Sequence, residues 1–139
     1  MTAKKEKLKK NKNKILTALA AALAYGGWAV FANYEHGLDI AVPSGLIQGI
    51  YAFLSTLTIT IVAQKVFVKY NCGIRGVLTG FSLSFVVMLA FPFVVHRLNG
   101  TPDIWETILP GLIWGSIYLL GFLVTLEVKQ RKTTNSGMM

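Results

Sequence analysis

Residues 44–66 read SGLIQGIYAFLSTLTITIVAQKV, an apolar run broken by hydroxyls and amides and charged only at Lys65. About 20 such residues wound as a helix cross the roughly 30 Å of hydrocarbon in a bilayer, where a helix satisfies its own backbone without water. Three further runs share this character, at 15–34, 77–95 and 104–128; the last carries Glu106 and Glu127 near its ends. The expected fold is therefore all-α, an integral membrane four-helix bundle over residues 15–128. The tails 1–14 and 129–139 are expected to be solvated and disordered.

Composition agrees with that class. The 139 residues are 53% apolar and 14% charged, against about 25% charged in soluble domains, and four spans leave no room for a separate soluble domain. A net charge of +8 would suggest nucleic acid in a soluble chain. Here, however, seven Lys crowd between Lys4 and Lys14, just before a span. A topology signal and contact with anionic lipid explain them better, so no nucleic-acid partner is expected. Leu8 is the only large apolar residue before Ile15, which argues against an amphipathic helix lying in the interface.

The positive charges also set a topology. Seven Lys and Arg precede span 1, three (Lys65, Lys69, Arg75) lie between spans 2 and 3, and three (Lys129, Arg131, Lys132) follow span 4. The other two connections hold Arg97 alone. Both termini are accordingly expected in the cytoplasm, most simply of a bacterial inner membrane, and the imbalance argues against a dual-topology dimer. A Lys-rich start and the Ala-rich residues 15–24 also describe a cleavable signal peptide. Apolar and small residues continue through Ala32, the full width of a membrane, which favours an uncleaved span. Cys72, the one cysteine, is expected on the cytoplasmic side and excludes an internal disulfide.

Residues 45–54 match residues 111–120 at five of ten positions with a constant offset of 66, and Gly37-Leu-Asp-Ile40 resembles the Gly100 to Ile104 segment. Two tandem helical hairpins, a parallel repeat, account for this; chance recurrence of Gly, Leu and Ile is the alternative. The glycines form small-xxx-small pairs at Gly45 and Gly49, Gly76 and Gly80, and Gly111 and Gly115, and span 1 continues the pattern at Ala18, Ala22 and Gly26. Such pairs let helices approach closely, within the bundle or between copies. Pro92 is expected to kink span 3 near residues 88–90.

Span 2 has the most polar face, with Ser44, Gln48, Ala52, Thr56, Thr60 and Gln64 recurring every fourth residue. This row is expected to turn inward or toward a partner. Gln48, Thr56, Thr60 and Gln64 of this row, together with Asn33, form the candidate substrate path, against a plainer reading as interhelical hydrogen bonds and hydroxyls bonded to their own helix. No ionisable residue lies near mid-span, so the titratable group that proton-coupled transport generally needs at membrane depth is missing.

Glu35, His36, Asp39, His96 and Asp103 form an outer-face polar cluster in sequence. A metal or acid–base role there needs a spacing that these residues lack, so no catalytic residue, metal or cofactor is expected. Trp28, Tyr34, Trp105 and Tyr70 read as interfacial anchors, and no phosphate loop, nucleophile elbow or metalloprotease pair appears. The expected function is non-enzymatic handling of a lipid or lipid-linked substrate, by transport or flipping, in an oligomer because four spans enclose little interior. The alternative is an accessory or anchoring subunit of a larger membrane complex. Purified from its membrane, the chain should retain residues 1–24; an intact mass lacking them would remove span 1.

Overall fold

The computed structural model describes residues 3–70 and 73–136, with side chains from Lys12 onward. Cys72 lies outside the described residues. Four helices account for nearly all of them: α1 (Ala3–Ala32), α2 (Leu38–Lys69), α3 (Gly73–Asn99) and α4 (Ile104–Ser136), with one 3-10 turn at Tyr34–His36. There is no strand among the described residues. Each helix is long and apolar enough to cross a membrane.

The helices outrun the expected spans. The 32 residues of α2 extend about 48 Å at 1.5 Å per residue, well beyond a hydrocarbon core of about 30 Å. α1 begins at Ala3 and α4 runs to Ser136, so much of the two expected disordered tails is drawn into helix. Once a span has supplied the costly nucleus, each added Lys, Glu or Gln needs only propagation, and Arg131 bonds Glu127 one turn back at 2.5 Å.

Two glycines set the connections at one end. Gly100 (φ +71°) ends α3; the Thr101 N–H returns to the His96 carbonyl at 3.0 Å and the Gly100 N–H to that of Arg97 at 3.3 Å. This is the paired bond pattern of a left-handed helix terminator. Gly37, at φ +98° and ψ 156°, occupies backbone space open essentially to glycine alone. Its carbonyl accepts the first N–H bonds of α2, from Ile40 and Ala41.

Contacts divide the chain into two compact units, residues 1–57 with 91–111 and residues 58–90 with 112–139. In the first, α1 meets α2 backbone to backbone. A Cβ on Gly26 would stand 2.9 Å from the Gly45 carbonyl oxygen, and one on Gly49 3.1 Å from that of Ala22. In the second, Gly76 faces the Phe67 carbonyl, Gly80 faces Ala63 and Leu123, and Gly115 faces the Met88 side chain. Ala63, Leu119 and Leu123 are fully buried in that unit. Close approach of this kind replaces the hydrophobic drive that lipid removes.

Gly26→Leu should lower stability in detergent by about 1–3 kcal/mol through overpacking. Gly27, where a Cβ would meet nothing within 4 Å, should accept Leu without loss. Equal unfolding midpoints for the two variants would rule out the α1–α2 contact.

Candidate functional site

The polar side chains of the first unit gather where α1, α2, α3 and α4 meet the connections at 33–37 and 100–103. The terminator at Gly100 folds Thr101 back over the last turns of α3, and its hydroxyl lies 3.0 Å from His96 Nδ1. The other ring nitrogen, Nε2, is 3.0 Å from Gln48 Oε1 on α2. One turn before Gln48, Ser44 Oγ is 3.0 Å from Thr101 Oγ1 and donates to the Ile40 carbonyl at 2.9 Å. Asn99 Nδ2 adds a donation to Thr101 Oγ1 at 3.3 Å. His96 and Ser44 are 0% exposed and Gln48 is 1% exposed.

A second set joins the end of α1 to the start of α4. Asn33 Nδ2 donates to the Ala29 carbonyl at 2.9 Å and to Thr107 Oγ1 at 2.7 Å, and its Oδ1 accepts the Asp103 N–H at 3.3 Å. Thr107 passes its own hydrogen to the Asp103 carbonyl at 2.7 Å. Every hydrogen of the Asn33 amide thus has an acceptor, as a buried amide requires.

Trp28 completes the joint for a reason written in the sequence. Pro110 has no N–H, so the carbonyl four residues back, on Glu106, loses its helical donor. The Trp28 indole N–H fills that vacancy at 2.7 Å, so Trp28 is a cross-helix donor as well as an interfacial aromatic. Trp105 packs on Phe93 with ring centroids 5.2 Å apart, and Lys69 lies 5.8 Å from the Tyr70 ring. Tyr34 is exposed.

The expected outer cluster divides. His36 Nε2 and Asp103 Oδ2 pair at 2.6 Å, both more than a third exposed, where such a pair contributes little. Glu35 and Asp39 are also exposed. His96 instead turns into the protein and joins Gln48, which the sequence placed in a different group. Among the described residues no three His, Cys, Asp or Glu side chains stand together as a metal site.

The polar row of α2 does not keep to one face. Ser44 and Gln48 are buried, Thr56 and Thr60 half-buried, and Gln64 exposed. Four residues turn a helix by about 400°, so a row at that spacing gains about 40° per step and has swung about 200° from Ser44 to Gln64. The Thr56 hydroxyl bonds the Ala52 carbonyl of its own helix at 2.7 Å, and Pro92 is fully buried on α3. Thr107 was not singled out as a partner of Asn33, nor Thr101 as one of Ser44, because contacts 74 and 57 residues apart leave no periodic trace in one sequence.

Unfolding in detergent of Gln48→Leu, His96→Phe and the double variant should give a coupling of about 0.6–1.7 kcal/mol. Additive losses would mean the two side chains share no bond. No protein-family model, curated protein or solved structure matches this chain, so its function is read from its own residues.

Proposed function

We propose that this chain is a non-catalytic subunit of a membrane assembly, its helices lying against those of a larger protein partner. In this reading the membrane is a bacterial inner membrane, both termini face the cytoplasm, and the Lys-rich start meets anionic lipid. The observation that carries the proposal is the commitment of Gln48 to His96 in full burial. A substrate path needs polar groups free to exchange partners, and the strongest such group at membrane depth is already engaged. The hydroxyls of Thr56, Ser116 and Thr125 likewise bond carbonyls of their own helices, which suits them to lipid or to a neighbouring helix. Gly27 and Gly121 have open space where a Cβ would stand and offer places for a partner helix to approach closely.

Handling of a lipid or lipid-linked substrate by a homo-oligomer is the second reading. It is favoured by half-buried Thr60 and exposed Gln64 in the second unit, an amide that lipid solvates poorly. The positive φ of both Gly37 and Gly100, each just ahead of a matching segment, supports two tandem hairpins in either case.

Purification in mild detergent separates the readings. A different membrane protein in stoichiometric amount is the expected result. A homogeneous oligomer of this chain carrying bound lipid would overturn the subunit proposal in favour of the second reading.

A further inference from the structure

The bonds around His96 contain one more contact than a neutral histidine can fill as they are arranged. The Ile40 carbonyl can only accept, so the Ser44 hydrogen goes there. The hydrogen between Ser44 and Thr101 must then come from Thr101. With its only hydrogen spent, Thr101 must accept from His96, which puts a proton on Nδ1. Thr101 Oγ1 also accepts from Asn99, so its two lone pairs and its hydrogen are all engaged. At the other nitrogen, Gln48 Oε1 can only accept, which asks for a second proton on Nε2.

Two states satisfy this chain in full. In one, His96 is an imidazolium that donates to Thr101 and to Gln48 Oε1. In the other, His96 is neutral with its proton on Nδ1, and the Gln48 amide is turned over so that its NH2 donates to bare Nε2. The ends of an amide have nearly the same shape, so the turn needs no repacking. We propose that His96 and Gln48 form a proton-operated switch, in which binding of a proton at His96 Nε2 turns the Gln48 amide. The proton comes from water on the side of the 99–103 connection, where Gly100 and Pro102 are exposed, and adds to the Nε2 lone pair; no bond other than hydrogen bonds breaks.

The turn has a place to be felt. Gln48 Nε2 lies 3.4 Å from where a Gly111 Cβ would be, so the far end of the amide faces α4, and turning it over replaces a donor with an acceptor there. One proton on α3 is thereby read through α2 at α4. The titratable and charged side chains nearest on the surrounding elements are Tyr34, Glu35, His36 and Asp39 on the α1–α2 side, Tyr51 on α2, which bonds Ser55, Arg97 on α3, and Asp103 and Glu106 at the start of α4. Among the described residues none of these is hydrogen-bonded to His96. His36 and Asp103 are engaged with each other. The switch therefore depends on the count of hydrogens around His96 and not on a charged neighbour, and it stands or falls separately from the subunit proposal.

The test is nitrogen NMR on the whole 15N-labelled chain in lipid nanodiscs, titrated from about pH 4 to about pH 9, with His36→Gln to leave a single imidazole in view. The expected result is a proton on Nδ1 throughout, with Nε2 alone passing from protonated to bare as pH rises. The Gln48 side-chain amide signals should move at the same midpoint and become insensitive to pH in His96→Phe. A neutral form with its proton on Nε2 would overturn the proposal, as would a Gln48 amide that ignores the His96 titration, or an imidazole that takes no proton over the range. Should His96→Phe fail to fold, the paired movement of the two signals in the otherwise native chain decides alone.

Discussion

Hydrocarbon supplies no hydrogen bonds, and the first unit is organised around that constraint. A polar atom shut away from water must find its partner within the protein, and Asn33, Ser44, His96, Thr101 and Thr107 do so largely through one another. Asn33 caps α1 and spends its remaining hydrogen and its oxygen on Thr107 and Asp103. His96 spends both ring nitrogens on Thr101 and Gln48. Bonds that a soluble protein would leave to water tie helices together here, and they fix which turn of one helix faces which turn of the next.

Glycine does the complementary work. Gly26, Gly45 and Gly49 bring the backbones of α1 and α2 so close that an added Cβ would stand 2.9 to 3.1 Å from a facing carbonyl oxygen. The closeness puts Ser44 and Gln48, on the neighbouring turns of α2, fully inside. The second unit relies more on this apolar device, with Gly76, Gly80 and Gly115 each seated against a neighbour. Its Ser84 hydroxyl is buried without a hydrogen-bond partner among the described residues.

The spans were legible in the sequence because hydrophobic length is a local property, and α4 begins at Ile104 as its window suggested. The continuation of α1 and α4 beyond their windows was not, since apolar content marks a span and not the helix that carries it. The polar row on α2 shows what its period can and cannot tell. A spacing of four follows one helix face for about two turns and then leaves it, which is why Gln48 is buried and Gln64 is not. The pairing of Gln48 with His96 depends on how α2 and α3 pack, 48 residues apart. One long-range bond did have a local sign: Pro110 in an apolar helix announces a free carbonyl at Glu106, although not that Trp28 would fill it.

That last pair has a consequence for how such a chain can change. With Trp28 present, Pro110 is tolerated, because the carbonyl it strips of a donor has another. A chain that first replaced Trp28 by a residue without an N–H would leave Glu106 with a bare acceptor, and Pro110 would turn from a neutral feature into a defect. A chain that first replaced Pro110 would restore the helical donor and release Trp28 to vary. The order of substitution therefore matters at two positions 78 residues apart, and the permitted route runs through the proline.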